Sequence, residues 1–316
     1  MNIRKAVPED IEAILDLTRR RIRWMDEKGL NHWNKLDYFG VYPELYFQEN
    51  INSFLIAEQE GQLVGALAVF DYDYFWKDAA PALYLHNFVA DVEYPGAGAA
   101  LLRFAENMAL AQGVTRLRID SNLRVHGLSE YYEKKGFRCR GLVQDGPYLG
   151  VKREKFLDRE NPPYDAAGFF DFGDRLREED FQLVLEKTTP FDEETGYVPA
   201  YHFIICSPEG ARMGSCNLRV GHKEGLYYGG HIGYQVEEAY RGRHLAARSV
   251  RLLLPLADKH GLGYVLITCN PDNTASRRTA EWAGFSLLET VPVPDWHDLA
   301  KSGNTQVCIY AYSLGK

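Results

Sequence analysis

The stretch GGHIGYQVEEAYRGRHLAARSVRLLLPLADKHG, residues 229–261, has the pattern of a strand, a glycine-containing turn and an amphipathic helix. A second stretch, LHNFVADVEYPGAGAALLRFAENMALAQG at residues 85–113, repeats that order. The glycines that close the two stretches, Gly113 and Gly261, lie 148 positions apart. Each stretch therefore predicts a strand-to-helix unit, and the pair suggests an internal repeat.

Two further landmarks support the repeat. The Gly-Phe pairs that begin at Gly136 and Gly284 are also 148 positions apart, and the Tyr-x-Gly turns that begin at Tyr94 and Tyr240 are 146 apart. Landmarks in the same order at nearly one spacing predict two domains of one architecture. We place them at 1–157 and 168–316, because charge, Pro-Pro and small residues replace the apolar pattern in KFLDRENPPYDAAG at 155–168.

The composition is that of an ordinary globular protein. The chain has 316 residues, 46% of them hydrophobic and 25% charged, which is enough for two cores. Its net charge of −8 argues against an extended nucleic-acid interface, which needs a basic face. The five cysteines form no CxxC pair, which predicts free thiols in a cytoplasmic protein and no metal site. The sequence has no signal-peptide pattern and no long apolar run, so we expect no membrane segment.

Hydrophobic periodicity predicts alternating strands and helices in both halves. In the first half we expect strands at 2–7, 53–58, 63–70, 82–90 and 115–120, and helices from Pro8, at 98–112 and at 128–135. In the second we expect strands at 181–187, 201–206, 213–220, 230–236, 264–269 and 305–312, and helices at 245–260 and 275–282. The predicted fold class is α/β, an α+β mixed sheet with helices between strands.

The two glycine-containing turns are candidate anion sites. A strand that feeds a helix through small residues leaves backbone N–H groups unpaired at the helix N-terminus, where the helix dipole adds about half a positive charge. Neither turn has the GK[ST] of a P-loop or the GxGxxG of a dinucleotide site. Taken alone, each is equally well explained as an ordinary strand-to-helix turn.

With the stretches that follow, LRIDSNLRVHGLSEYYEKKGF at 117–137 and LITCNPDNTASRRTAEWAGF at 266–285, both halves resemble the GNAT superfamily of acyl-CoA-dependent N-acyltransferases. The family motif [Q/R]xxGx[G/A] lies between the fourth strand and the next helix, where backbone amides hold the pyrophosphate of coenzyme A. The resemblance implies two GNAT-like acyl-CoA N-acyltransferase domains in tandem, with acetyl-CoA as cofactor. The cofactor-binding residues it implies are Phe88, Val89, Ala90, Gly96, Ala97, Gly98, Ala99 and Ala100 in the first half, and Tyr234, Val236, Arg241, Gly242, Arg243, His244, Leu245, Ala246, Asn273 and Ser276 in the second.

Both copies depart from the motif. In the first, Pro95 takes the opening Arg/Gln position, while the small residues from Gly98 onward are intact. In the second, Arg241 matches the opening position and His244 replaces the central glycine. A side chain at that place either crowds the phosphate or donates to it.

The resemblance also implies roles for the helix that follows the next strand. An Asn before that helix contacts the cofactor in the family, and Asn273 matches it, whereas the first copy has Val125. A Tyr before the Gly-Phe pair is the family's proposed general acid for the departing thiolate. Tyr132 matches it in the first copy, whereas the second has Ala280. We therefore expect chemistry in the first copy, and cofactor binding or support in the second.

A transfer to an amine needs a base, because an amine of lysine-like pKa, near 10.4, is mostly protonated at pH 7. On or near the fourth strand of the first copy, the candidate catalytic bases are His86 and Glu93. The alternative is that His86 is a packed, hydrogen-bonded histidine and that Glu93 is a solvated loop carboxylate. The other candidates are Asp91 in the first copy and His231, Glu237 and Glu238 in the second.

Three residues are candidates for binding the acceptor. Asp73 lies in the acidic and aromatic run DYDYFW at 71–76, which could hold a cationic amine by charge and cation–π contact. Trp24 and Trp33 flank the region where family members shape the acceptor pocket. Core packing explains the aromatic residues equally well.

The sequence thus predicts an N-acetyltransferase that moves an acetyl group from acetyl-CoA to a primary amine of a small molecule or peptide, by direct attack in a ternary complex. The alternative is a catalytically degenerate acyl-CoA-binding sensor, favoured by Pro95, Val125, His244 and Ala280. No nucleic-acid or membrane partner is expected, and both a monomer and a homodimer remain open.

Overall fold

A computed structural model describes residues 1–30, 32–172 and 176–314. The chain forms two compact units, one of residues 1–128 and 143–161 and the other of 129–142 and 162–316. Residues 129–142 thus belong to the second unit, whereas the sequence assigned them to the first domain. The predicted bounds 1–157 and 168–316 stay a prediction.

The first half begins with a strand and a long helix. Its strands are β1 (Asn2–Lys5), β2 (Phe54–Gln59), β3 (Gln62–Phe70), β4 (Leu83–Ala90), β5 (Arg116–Asn122), β6 (Arg138–Asp145) and β7 (Tyr148–Phe156). Its helices are α1 (Ile11–Glu27), α2 (Tyr38–Val41), α3 (Glu44–Asn50), α4 (Ala97–Ala111) and α5 (His126–Lys134). The sequence did not predict α2 and α3, which are short.

The second half has the same alternation. Its strands are β8 (Gln182–Thr189), β9 (Ala200–Cys206), β10 (Arg212–Arg219), β11 (Ile232–Val236), β12 (Tyr264–Cys269), β13 (Ser286–Pro292) and β14 (Gln306–Ser313). Its helices are α6 (Glu224–Gly229), α7 (Leu245–Lys259), α8 (Thr274–Trp282) and α9 (Asp298–Lys301). The helix α7 continues through Pro255, as the sequence predicted.

The sheets confirm a mixed α/β architecture. The first has the order β1-β2-β3-β4-β5-β7-β6, and in it β4 and β5 run parallel while the neighbouring pairs around them are antiparallel. The second half has a four-stranded sheet, β11-β10-β9-β8, and a three-stranded sheet, β12-β14-β13. Each half therefore places a strand followed by a long helix, β4–α4 and β11–α7, beside an edge where the sheet opens.

Apolar side chains of α1 fix the core beside this strand. Ile14, Leu15 and Leu17 are almost fully buried, at helical spacing, and they cluster with Phe54 of β2 and Val89 of β4. Burying such side chains stabilises the fold by about 1.5–3 kcal/mol each. Within the described part of the chain, none of the helices combines the length and apolar character that a bilayer crossing needs.

Candidate functional site

The strands β4 and β5 separate part of the way along their length. Their parallel register covers Leu83–Leu85 against Leu117–Ile119 and ends there. On the other side, β3 pairs with β4 through an irregularity in which two residues of β4, Asn87 and Phe88, lie between the paired positions His86 and Val89. Past Leu85, the edge of β4 that faces β5 is therefore open to an extended ligand.

Asn87 holds the backbone of β4 at this bulge. Its φ of 45° is in the left-handed region, which Asn tolerates better than most residues. The side-chain amide donates to the Tyr38 hydroxyl over 2.9 Å and accepts from the Tyr46 hydroxyl over 2.8 Å. Two tyrosines from α2 and α3 thus fix the bulge, and Trp33, a predicted acceptor contact, packs against Tyr38 with ring centroids 4.9 Å apart.

The first candidate anion site, which we call the first cradle, lies at the turn between β4 and α4. Gly96 precedes the helix with φ 98°, a conformation that favours glycine. The backbone N–H groups of Gly98 and Ala99 have no hydrogen-bond partner among the described residues. A Cβ atom added at Gly98 would lie 3.2 Å from Cζ of Phe88, so the helix approaches β4 closely here. These are the exposed donors that an anion site at a helix N-terminus requires.

The second cradle has the same backbone with a different side chain. His244 precedes α7 with φ 55°, and the N–H groups of Ala246 and Ala247 have no partner among the described residues. The His244 ring stacks on Trp282, with centroids 4.1 Å apart and planes at 21°. The imidazole is therefore directed to the end of α8, and Arg243 contacts Asp180 at 3.4 Å.

The structure corrects the register in which the sequence aligned the two turns. Gly96 and His244 are the left-handed residues that precede the helices, and they are 148 positions apart, the same spacing as the other glycine landmarks. The expected match of Gly98 with His244 is wrong by two residues. In the corrected register Glu93, not Pro95, corresponds to Arg241 at the opening of the motif.

Three ionisable side chains meet at the open end of β4 and β5. Asp73, His86 and Asp120 each offer an atom that lies within 4.8 Å of the other two. Nε2 of His86 is 3.1 Å from Oδ2 of Asp73, and Asp120 accepts a hydrogen bond from the Tyr148 hydroxyl. The cluster can hold or move a proton, and it is also a donor set that suits a divalent cation.

The environment of Asp120 favours its neutral form. Enclosure by protein raises the pKa of this carboxyl, while the hydrogen bond from Tyr148 and the nearby His86 oppose the rise. Sequence reasoning missed Asp120 and Tyr148. The parallel register that pairs Leu85 with Ile119 brings His86 beside Asp120, and no local pattern reveals that register.

Asp73 is not a surface acid. It is 7% exposed, and its second carboxylate oxygen accepts from the Phe75 N–H over 2.7 Å. The carboxylate is therefore placed to orient His86, rather than to bind the acceptor as the sequence suggested.

Of the aromatic residues near the cluster, Tyr74 lies in the DYDYFW run that the sequence had singled out, whereas Tyr42 was missed. The Tyr74 hydroxyl donates to Asp145 over 2.8 Å. Burial, together with the neighbouring carboxylates Asp120, Asp145 and Asp73, raises the pKa of Tyr42. Tyr42 and Tyr74 thus lie beside the acidic groups, and they are better placed to contact an acceptor than Trp24, whose ring stacks with Arg21 at 4.3 Å.

In the second unit a different group occupies the position of His86. Tyr234, 148 positions later, has its hydroxyl 2.9 Å from Oγ of Ser276, and burial raises its pKa to about 12. Asn273 accepts from the N–H of Ser276 and so caps α8. Thr268 stands where the first unit has Asp120. This combination offers hydroxyl groups in place of the carboxylate and imidazole of the first unit.

Two other candidates have structural surroundings. His231 is 1% exposed and contacts Gly221 and His222, and burial holds its pKa well below the usual value. Glu93 is exposed, and its N–H donates to Asp91 in the turn before α4. His231 is thus a neutral core residue, and Glu93 lies in the turn before α4 rather than in the cluster.

Tyr132 is buried on α5, where its ring packs edge-on against Tyr131 and Phe137 with centroids 5.2 and 5.7 Å away. It belongs to the residues that form part of the second unit. Its role as general acid stays a prediction.

Comparison with known protein families gives a match in each half. The model described as acetyltransferase (GNAT) family matches residues 21–137, and the one described as acetyltransferase (GNAT) domain matches 163–286. Among curated proteins, the uncharacterized N-acetyltransferase YesJ of Bacillus subtilis is 26% identical over 159 residues, covering 46% of this chain and 87% of that protein.

Solved structures similar to one half include a GNAT acetyltransferase from Listeria monocytogenes, at 23% identity with a TM-score of 0.43, covering 49% of this chain and 94% of that one. A PaiA N-acetyltransferase from Thermoplasma acidophilum, in complex with coenzyme A, is 23% identical with a TM-score of 0.40, covering 49% and 98%.

Proposed function

We infer the function of this chain from its family, because it belongs to the GNAT acetyltransferases and carries two of their domains in tandem. We propose that its first unit transfers an acetyl group from acetyl-CoA to a primary amine of a small molecule or peptide. The reaction is a direct attack of the amine on the thioester in a ternary complex. The five free, buried cysteines suit the reducing cytoplasm as its compartment.

The observation that carries this proposal is the Asp73–His86–Asp120 cluster at the open end of β4. An amine must lose a proton to become a nucleophile, and the cluster supplies an imidazole oriented by a carboxylate. The equivalent positions of the second unit hold Tyr234 and Thr268. The proposal therefore assigns the chemistry to the first unit.

Residues at the start of α4 and along β4 bind acetyl-CoA and carry out the transfer. The N–H groups of Gly98 and Ala99 receive the diphosphate of acetyl-CoA, and the open edge of β4 receives its extended arm. His86 donates from Nε2 to Asp73, and Nδ1 is then the ring nitrogen that takes a proton from the attacking amine. Backbone N–H groups of β4 past the bulge stabilise the oxyanion.

The acceptor site is acidic and aromatic. Asp145, Tyr42 and Tyr74 lie around the cluster and suit a positively charged amine by charge and cation–π contact. Glu93 at the opening of the first motif, and Asp180 beside Arg243 in the second, oppose tight binding of the diphosphate. The second candidate function, an acyl-CoA sensor without turnover, is favoured instead by Val125 and Ala280, which stand where the family has its Asn and its Tyr.

Thermal stability with acetyl-CoA, followed by thiol release with an amine panel, separates the two functions. Ligand at about 100 times Kd stabilises by about 2.7 kcal/mol, and we expect Gly98→Glu to abolish the shift of the first unit and Ala246→Glu that of the second. Leu110→Glu, exposed on α4, is the control. Binding without turnover of any amine would favour the sensor.

A further inference from the structure

The buried side chain of Arg118 binds the loop that carries Asp73. Arg118 of β5 is 1% exposed, and a buried guanidinium is stable only when its donors are paired. It donates to Glu154 over 2.9 Å and to the Tyr84 hydroxyl over 3.0 Å, both on neighbouring strands. It also donates to both carboxylate oxygens of Asp78 over 2.9 Å. We name Arg118, Asp78, Glu154 and Tyr84 the Arg118 clasp.

The clasp holds the loop of residues 71–82 at a second point. The ring of Trp76, 8% exposed, lies over the guanidinium with its centroid 4.1 Å from Cζ. Trp76 and Asp78 both belong to the loop that joins β3 to β4, whereas Arg118 belongs to the sheet. An ion pair, in which one guanidinium nitrogen contacts both carboxylate oxygens of Asp78, and a cation–π contact therefore connect the loop to β5.

A short turn passes this constraint to Asp73. The N–H of Trp76 donates to the carbonyl of Asp73 over 3.2 Å, and that of Phe75 donates to its carboxylate over 2.7 Å. The other carboxylate oxygen contacts His86 at 3.1 Å. A shift of Trp76 thus moves the carboxylate that orients the imidazole.

We propose that Arg118 is a positioning residue for the reaction, which sets the orientation of His86 through the 71–82 loop and Asp73. The inference rests on the proposed function, because it gives His86 its catalytic role. Misplacement of a catalytic group by about 1 Å can cost about 100-fold in rate, so a loop that carries the orienting acid needs such an anchor.

The test removes the clasp at its exposed end. The side chain of Asp78 is 51% exposed, so Asp78→Asn breaks this ion pair at the surface, while Glu154 and Tyr84 still pair with the buried guanidinium. We expect kcat to fall about fivefold, with the KM for acetyl-CoA unchanged. Asp78→Glu, which keeps the carboxylate, should recover most of the loss, and Glu60→Gln, exposed in the turn between β2 and β3, should have no effect.

A double-mutant cycle distinguishes positioning from general destabilisation. In an Asp73→Asn background, Asp78→Asn should cost nothing further, because the acid through which the clasp acts is gone. In parallel, ¹⁵N NMR of the His86 ring reports which nitrogen carries the proton, and Asp78→Asn should shift those signals toward the values seen in Asp73→Asn.

Equal losses from Asp78→Asn in both backgrounds, or an unchanged His86 spectrum, would overturn the positioning role. If the wild type turns over no amine, the proposed function fails instead, and the NMR comparison alone decides whether the clasp orients His86.

Discussion

Replacing His86 by Ala should remove the general base and leave the acetyl-CoA site intact. Its Nε2 is 3.1 Å from Oδ2 of Asp73, and it lies on β4, whose open edge we propose as the site of the thioester arm, while the cradle N–H groups are on α4. Loss of a general base costs about 10²–10⁴-fold, so we expect kcat at pH 7 to fall within that range. Acetyl-CoA should stabilise the variant as it stabilises the wild type.

The pH dependence makes the prediction specific. An acceptor with pKa near 10.4 is about 0.04% neutral at pH 7, and this fraction rises about tenfold for each pH unit up to 9. Without a base, only neutral amine reacts, so the rate of His86→Ala should rise with that slope and the deficit should shrink about 100-fold by pH 9.

The assay is initial thiol release at pH 6–9 with EDTA present, and His202→Ala, a histidine on β9, is the control. Wild-type activity at pH 7 in His86→Ala, or parallel profiles for the two proteins, would refute the assignment.

Three further substitutions test particular residues. Asp120→Asn should raise the Tm at pH 7 while lowering kcat. Because the pKa of Asp120 is raised in the folded protein, its ionised form costs stability as the pH rises through that pKa, so the gain in Tm should vanish near pH 4. A gain in Tm that does not change with pH would exclude this cause. Asn87→Ala should lower the free energy of unfolding by about 2 kcal/mol, seen by calorimetry as a Tm fall of about 4–8 °C, and should weaken acetyl-CoA binding, because two tyrosine hydroxyls lose their partner at a strained backbone. An unchanged Tm would show that the bulge does not need Asn. His244→Gly should change stability by less than about 1 kcal/mol but alter the Trp282 fluorescence, measured against Trp282→Phe, and identical emission would contradict the ring stack.

The sequence predicted the repeated elements well because their periodicity is local. The helices α4 and α7 begin and end close to the expected residues, since apolar side chains recur on one face and a glycine follows each. The strand β13 and the helices α2, α3, α6 and α9 were missed. They are short or, like β13, largely exposed, so their apolar spacing carries little signal.

The candidate site was predicted only in part. His86 was selected from its strand, but its partners depend on tertiary placement. Asp120 reaches it through the register of two parallel strands, and Asp73 through a loop fastened by Arg118. The turn register was misjudged because several small residues in PGAGAA fit the motif equally well, and only the backbone conformation identifies Gly96 as the residue before the helix.

A crystal structure of the protein with acetyl-CoA tests the central claim most directly. We predict the diphosphate on the N–H groups of Gly98 and Ala99, and the thioester at the open edge of β4 beside His86. Acetyl-CoA bound in the second unit alone, or with its acetyl group directed away from the Asp73–His86–Asp120 cluster, would contradict the account.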